Sequence, residues 1–228
     1  MKASTYFILC IPLLILNCNK SDHDPSTDPP IDADGYEYKI ITIGNQVWMA
    51  ENLRTTKYNN RDEIGTTVPA SLDISHEYQP KYQWPFSGNE RTALEYGRLY
   101  TWYAITDDRG VCPSGWHVPS DVDWAILCEF LGGFAISGAK LKETGTAHWH
   151  NPNEGATNES GFTAIPSGYR RTSGDFDAIG LRERWWSAAE SSTTHAWRLG
   201  VDYNSIELSR SDQYSKFGGY SVRCLKND

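Results

Sequence analysis

The sequence lacks an excess of basic residues, a long apolar run and an internal repeat. Its 21 Lys and Arg residues are outnumbered by 29 Asp and Glu residues, which gives a formal net charge of -8 over 228 residues. A chain with this negative charge lacks the excess of basic residues that neutralises nucleic-acid phosphates, so nucleic acid is not an expected partner. The apolar run from Phe7 to Leu16 is too short to span a bilayer as a mature helix. No repeated unit is visible, and we expect one sizeable folded domain.

Two catalytic patterns are also missing. The sequence has no G-x-S-x-G elbow, and no nucleophile, base and carboxylate stand in a recognisable order around His117, His148, His150 and His195. His148 and His150 would share one side of an extended segment, as two zinc ligands can, but no further Cys or His is placed to complete a site. Neither hydrolase chemistry nor zinc binding is expected.

The N-terminal residues 1–18 are typical of an export signal. Their apolar run ends in ILNC, which resembles a bacterial lipobox, where a cysteine becomes the lipidated first residue of the mature chain. Here that residue is Cys18. Because Asn17 replaces the usual small residue, ordinary signal-peptidase cleavage without a lipid stays open as the alternative. Several acyl chains on one residue would anchor the protein stably, since each buried methylene contributes about 0.8 kcal/mol.

Residues 19–33 predict a flexible tether. They are rich in Asp, Pro and Ser and almost free of apolar side chains, so they cannot repay the entropy of ordering. The acidic run after Cys18 resembles the surface-export signals of Bacteroidetes-type lipoproteins. We therefore expect a bacterial cell-envelope protein, lipid-anchored at the outer membrane, with exposure at the cell surface as a further hypothesis.

Residues 34–228 predict a folded domain of the α+β class. Alternation around IGNQ predicts a hairpin closed by Gly44 and Asn45, whereas residues 54–92 show no clear period and predict an irregular excursion. The half from 134 onward predicts strands and long loops. In ALEYGRLYTWYAI, the spacing predicts one helix with a buried stripe made of Tyr96, Leu99, Tyr100 and Tyr103.

The stretch CPSGWHVPSDVDWAILCEFLGG, residues 112–133, looks chemical because it holds two cysteines, a histidine and three carboxylates. Its pattern predicts a scaffold helix instead. Ser120 and Asp123 form a capping box, and Gly132 follows the last turn. One helix face carries Trp124, Leu127, Cys128 and Leu131. The thiol of Cys128 therefore faces the core, where burial makes it a poor nucleophile.

The cysteines predict one disulfide. Cys10 leaves with the signal and Cys18 takes the lipid, so Cys112, Cys128 and Cys224 remain, and two of them are expected to pair in an exported protein. Cys128 lies on a buried helix face, which leaves Cys112 and Cys224 as the better pair. Their bridge would close a loop of more than 100 residues, for which the chain-entropy model gives roughly 4.7 kcal/mol.

Several motifs in fixed order resemble the Fibrobacter succinogenes major paralogous domain, a family of exported bacterial proteins. Over residues 34–226 they read DGYEYKIITIGNQVWMAENL, GRLYTWYAI, CPSGWHVPSDVDWAILCEFLGG, GAKLKE, SGFTAIPSGYR, WWSAAE and GYSVRCLK. The family is similar to the C-type-lectin-like superfamily, and GWHVPSDVDW resembles the RLPTEAEW segment of its sulfatase-modifying-factor branch. The resemblance implies two helices flanking a curled, mixed or antiparallel sheet with long loops.

No cofactor is assigned from the resemblance. Sulfatase-modifying enzymes use redox-active cysteines in their C-terminal part, where this chain has only Cys224. Many C-type lectins bind calcium through EPN or QPD and WND motifs; NPNEG at 151–155 is a poor match and WND is missing. No calcium ligand is carried over, although calcium held by loop oxygens of Asp175, Asp177 or Glu190 stays an open alternative.

Aromatic residues suggest a binding surface. Adjacent Trp185 and Trp186 on a strand point to opposite faces, so only one is expected in the core and the other near the surface. An exposed Trp beside polar groups suits stacking on a sugar ring or gripping a protein. The predicted ligand-binding residues are Trp186, Trp149, Arg170, Arg184 and Glu190. The alternative is that long loops bury both faces.

The sequence therefore predicts a lipid-anchored envelope protein that binds a surface glycan or a protein, without catalysis. Two alternatives remain: an enzyme on the same fold, of the sulfatase-modifying or hydrolase kind, and a structural, fimbria-like envelope component.

Overall fold

The computed structural model describes residues 1–2 and 28–227. Residues 3–18 of the predicted export signal, Cys18 among them, lie outside the described residues. The strands are β1 (Ile40–Ile43), β2 (Gln46–Met49), β3 (Gln83–Trp84), β4 (Leu99–Tyr100), β5 (Trp116–His117), β6 (Tyr169–Arg170), β7 (Phe176–Asp177), β8 (Arg182–Glu190), β9 (His195–Asp202), β10 (Ser209–Ser215) and β11 (Leu225–Lys226). The α-helices are α1 (Glu90–Tyr96), α2 (Trp102–Ile105), α3 (Asp121–Phe130) and α4 (Phe134–Leu141), and a 3₁₀ turn covers Phe86–Gly88.

Small antiparallel sheets organise the domain. One sheet has the order β1-β2-β11-β5, a second has the order β10-β9-β8, and β3 with β4 and β6 with β7 form two ribbons. The paired strands are antiparallel throughout. The predicted α+β class is confirmed, with few helices and long irregular connections.

The N-terminal hairpin is confirmed. Ile43 pairs with Gln46 in register, so Gly44 and Asn45 form the two-residue turn between β1 and β2. Gly44 has a φ of 61°, a value that glycine adopts without the penalty that a Cβ would bring.

The predicted long aromatic helix is wrong, because Gly97 interrupts it. Gly97 has a φ of 78°, and a Cβ there would stand 2.7 Å from the Cβ of Asn52. The chain leaves α1 at this glycine, runs through β4 and enters the short α2. Tyr100 of the predicted stripe is fully buried, but it reaches the core from a strand.

Helix α3 begins with the predicted capping box. The backbone amide of Asp123 donates to the Ser120 hydroxyl, and the Asp123 carboxylate accepts from the backbone amide of Ser120 at 2.7 Å. Gly132 and Gly133 follow with φ values of 99° and 98°. Cys128 is buried as predicted, and burial raises the pKa of its thiol.

The disulfide joins Cys112 and Cys224, whose Cα atoms are 5.9 Å apart. Leu225, the next residue after Cys224, pairs with both Trp48 of β2 and His117 of β5. The bond therefore fixes the end of the chain as an inner strand of the first sheet.

Two hydrophobic clusters lie on opposite faces of β8. One contains Trp186 together with Tyr100, Tyr220 and both disulfide cysteines, and the other contains Trp185 with Trp124 and Phe162. Because both faces of β8 are covered, this strand is the centre of the core.

Among the described residues, no single helix is long and apolar enough to cross a membrane, and α3 with α4 reach that length and composition only as a pair bent by 84°.

Candidate functional site

The predicted exposure of one tryptophan of the Trp185–Trp186 pair is wrong, because both side chains are 0% exposed. The prediction that the two side chains point to opposite faces of the strand is confirmed, because Trp185 and Trp186 belong to different hydrophobic clusters. Trp186 donates from Nε1 to the carbonyl of Tyr100 at 2.7 Å. Neither ring offers a face to a ligand.

Two other predicted binding residues are also buried. Trp149 is 1% exposed, and its Nε1 donates to the carbonyl of Ala164 at 2.9 Å. Arg170 is 0% exposed and lies over the ring of Trp84, with its guanidinium carbon 4.0 Å from the ring centre. Its guanidinium donates to backbone carbonyls of Ala70 and Leu72. Both side chains therefore hold loops in place.

The remaining two predicted residues border surface depressions. Glu190 lines a large groove and Arg184 lines a smaller pocket. The segment 215–218 runs between them, since Lys216 and Phe217 line the groove while Ser215 and Gly218 line the pocket. The structure thus divides the predicted set between the core and two separate sites.

The larger depression, which we call the aromatic groove, has a volume of about 880 Å³. Four of its lining side chains are aromatic: Tyr78, Trp102, Tyr103 and Phe217. Tyr78 is 89% exposed. The other lining residues are polar or charged, namely Gln79, Lys81, Thr106, Asp107, Asp108, Arg109, Glu190, Thr193, Thr194 and Lys216. Aromatic faces beside hydrogen-bonding groups are typical of ligand sites.

Charges within the groove are balanced. The lining holds three acids and three bases. Asp107 pairs with Lys81 at 2.6 Å and with Arg109 at 2.8 Å, while Glu190 pairs with Lys216 at 2.7 Å. Hydrogen bonds from Arg109 keep the pKa of Asp107 far below its usual value. The groove therefore suits a neutral ligand that hydrogen-bonds to fixed charges.

The smaller depression, which we call the arginine pocket, has a volume of about 370 Å³. It is lined by four arginines and three tyrosines: Arg171, Arg182, Arg184, Arg198, Tyr169, Tyr214 and Tyr220. Thr172, Ser173, Ser215 and Gly218 complete the lining, which contains no carboxylate. This composition favours an anionic group.

Three of the pocket arginines have carboxylate partners outside the lining. Asp202 accepts from Arg182 at 3.1 Å and from Arg184 at 2.6 Å. Asp177 accepts from Arg171. Two aspartates thus face four guanidinium groups, and a net positive charge remains.

Arg198 differs from the other three. It is 5% exposed, and its Nε and Nη1 atoms have no hydrogen-bond partner among the described residues. Its guanidinium carbon lies 3.4 Å from the ring centre of Tyr214. Such a cation–π contact contributes about 0.5–2 kcal/mol, which does not offset the several kcal/mol that desolvating a cation costs.

Burial lowers the pKa of Arg198 to about 10, and the neighbouring Arg184 adds to this effect. The side chain stays protonated at neutral pH. The pocket therefore holds a buried cation without a counter-ion on the protein side.

A second carboxylate with a strongly shifted pKa, that of Glu183, lines neither depression. Burial raises the pKa of Glu183 to about 7, a shift that often marks a functional group. Glu183 is, however, 0% exposed, and its carboxylate accepts hydrogen bonds from Ser167 and Asn52. It joins two irregular segments to β8 inside the core, and its carboxylate is not exposed at the surface.

Three of the residues considered for metals pair with other side chains. His148 lies between Glu143 and Glu95, at 2.7 and 2.8 Å. Asp177 pairs with Arg171, and Glu190 pairs with Lys216. Within residues 28–227, no group of three or more His, Cys, Asp or Glu side chains is arranged to hold a metal ion.

These features define a class of protein: a disulfide-linked α+β domain with long irregular loops and open surface depressions large enough for a ligand. The chain belongs to the Fibrobacter succinogenes major domain family, whose model matches residues 41–226. The predicted family is confirmed, with the match beginning at residue 41 rather than at 34. No curated protein and no solved structure matches the chain.

Proposed function

We propose that this protein is a lipid-anchored protein of the bacterial cell envelope that binds a neutral glycan in the aromatic groove. The observation that carries the proposal is the exposed Tyr78 beside Trp102 and Tyr103 in a groove of about 880 Å³. The aromatic rings supply apolar faces for sugar rings, and the balanced charges accept and donate hydrogen bonds to hydroxyl groups. The assignment moves the binding surface away from Trp186 and retains only Glu190 of the original set.

Replacing Tyr78 by alanine should weaken glycan binding about tenfold, since one aromatic contact contributes about 1.5 kcal/mol at most. The side chain is almost fully exposed, so the melting temperature should not change. The measurement is a glycan array with the purified protein, with and without a chelator, followed by calorimetry on the best neutral oligosaccharide.

Phe130→Ala is the matched control, because Phe130 is a 63% exposed aromatic residue outside the groove. It should leave the affinity unchanged. An array without hits, or hits whose affinity is equal in Tyr78→Ala and the parent protein, would contradict the assignment of the groove.

The membrane anchor rests on the ILNC motif that ends at Cys18. In cells fed with a labelled fatty acid, the parent protein should carry label and sediment with the outer membrane, and Cys18→Ala should abolish both. Cys10→Ala is the control, since that residue leaves with the signal. Label retained in Cys18→Ala would contradict lipidation at Cys18. Resistance of the domain to protease added to intact cells would contradict exposure at the cell surface.

The proposal includes no catalysis. It is supported by the burial of two groups whose pKa is raised, since both the Cys128 thiol and the Glu183 carboxylate lie in the core. Turnover of a glycan hit during prolonged incubation would count against it.

A C-type-lectin-like arrangement is the finer fold that we propose. Support comes from the sequence resemblance, from the two longest helices α3 and α4, and from long loops around small antiparallel sheets. Superposition on a C-type-lectin-like domain tests this, with α3 and the β8–β10 sheet required in equivalent positions.

A further inference from the structure

We propose that the arginine pocket is a second binding site, specific for an acidic sugar residue that carries a carboxylate or a sulfate. This inference goes beyond the proposed glycan groove and does not rest on it. Its basis is Arg198, a nearly buried guanidinium that lines the pocket and lacks a carboxylate partner in the described part of the chain.

The register of the second sheet places this charge. Arg198 of β9 stands opposite Trp186 of β8, and Arg184 stands opposite Gly200. Arg184 and Trp186 alternate with Trp185, so they share the sheet face that leads from the first core cluster to the pocket. The ring of Tyr214 covers Arg198 from β10. The cation is therefore fixed by the sheet and by stacking, and a ligand would meet it without reordering a long side chain.

The remaining charges make the pocket attractive to an anion. Asp202 forms ion pairs with both Arg182 and Arg184, and Asp177 forms an ion pair with Arg171. No acidic side chain lines the pocket. An incoming oxyanion would thus supply the missing negative charge, through charge-assisted hydrogen bonds that are shorter and stronger than neutral ones.

The size and the aromatic walls select the rest of the ligand. A volume of about 370 Å³ lies at the low end for small-molecule sites, which span about 300–1,000 Å³. Tyr169, Tyr214 and Tyr220 provide ring faces and hydroxyl groups around the charge, a combination that suits one sugar ring better than a bare ion.

The test is calorimetric titration of the purified full-length protein with glucuronate, glucose 6-sulfate, glucose and inorganic sulfate at low ionic strength. At least one acidic sugar should bind about tenfold more tightly than glucose and than inorganic sulfate. The comparison of glucuronate with glucose 6-sulfate identifies the preferred oxyanion. Tyr78→Ala should not affect this binding, which separates the pocket from the groove.

Arg198→Met should weaken binding of the acidic sugar at least about tenfold, because it removes the cation while keeping side-chain volume. Arg210→Gln is the matched control: Arg210 is a β10 arginine paired with Asp121 and lies outside the pocket lining. If Arg198→Met does not fold, the more exposed Arg182→Gln should still weaken binding severalfold.

Three results would overturn the inference. They are the absence of binding by both acidic sugars, unchanged affinity in the folded Arg198 and Arg182 variants, and an affinity for inorganic sulfate equal to that of the tighter-binding acidic sugar. The last result would describe a site for a bare anion.

Discussion

Replacing Cys112 and Cys224 together by alanine is expected to lower the free energy of unfolding by about 4 to 5 kcal/mol. The bond spans a sequence separation of 112 residues, and a cross-link over so long a loop removes much of the entropy of the unfolded chain. In the folded state it also retains β11 between β2 and β5. Since a domain of this size loses roughly 2 to 4 °C per kcal/mol, the melting temperature should fall by roughly 8 to 20 °C.

Chemical denaturation of the oxidised protein, the reduced protein and the double variant measures this effect. The reduced protein and the variant should unfold at similar denaturant concentrations. Cys128→Ala is the control, because it removes a buried sulfur without breaking a disulfide and should cost only about 1 kcal/mol. If the double variant were as stable as the parent protein, the bond would not be a main source of stability.

Local chemistry was sufficient to predict some elements from the sequence. The capping box of Ser120 and Asp123 involves residues three positions apart, and the hairpin turn at Gly44 and Asn45 involves adjacent ones. In both cases the pattern and the hydrogen bonds lie within the same short segment. Such signals survive folding because distant residues are not needed to satisfy them.

A helical period alone was misleading between Tyr96 and Tyr103. The spacing of apolar residues fitted one helix, but this spacing carries no information about the backbone conformation at Gly97. At Gly97 the backbone comes so close to Asn52 that a Cβ would clash, and φ is positive. Asn52 lies more than forty positions earlier in the chain, so the local pattern could not reveal the contact.

Whether one face of a strand is exposed to solvent depends on which other segments of the chain pack against it, and these segments can be distant in sequence. The alternation of Trp185 and Trp186 was correct, yet both faces are covered by segments far from β8 in sequence. The same limit hid both surface sites. Tyr78 lies in a stretch without a period, and Arg198 is brought beside Arg184 only by the pairing of β8 with β9.

Trp186→Ala should lower the free energy of unfolding by about 3 to 5 kcal/mol, the range for truncating a large buried aromatic residue. The indole is fully buried, packs edge-to-face on Tyr220 with ring centres 4.7 Å apart, and donates to the carbonyl of Tyr100. Any loss of ligand binding in this variant should therefore follow from unfolding. Denaturant unfolding and ligand titration on the same preparation separate the two effects.

Trp197→Ala is the matched control, because Trp197 lies on the neighbouring strand β9 and is only partly buried. Its loss should cost about 1 to 2 kcal/mol. A Trp186→Ala protein with unchanged stability but lost binding would indicate that the ligand binds at Trp185 and Trp186. It would also contradict the position of β8 between two hydrophobic clusters, because an alanine at the centre of a packed core leaves a cavity that the surrounding side chains fill only in part.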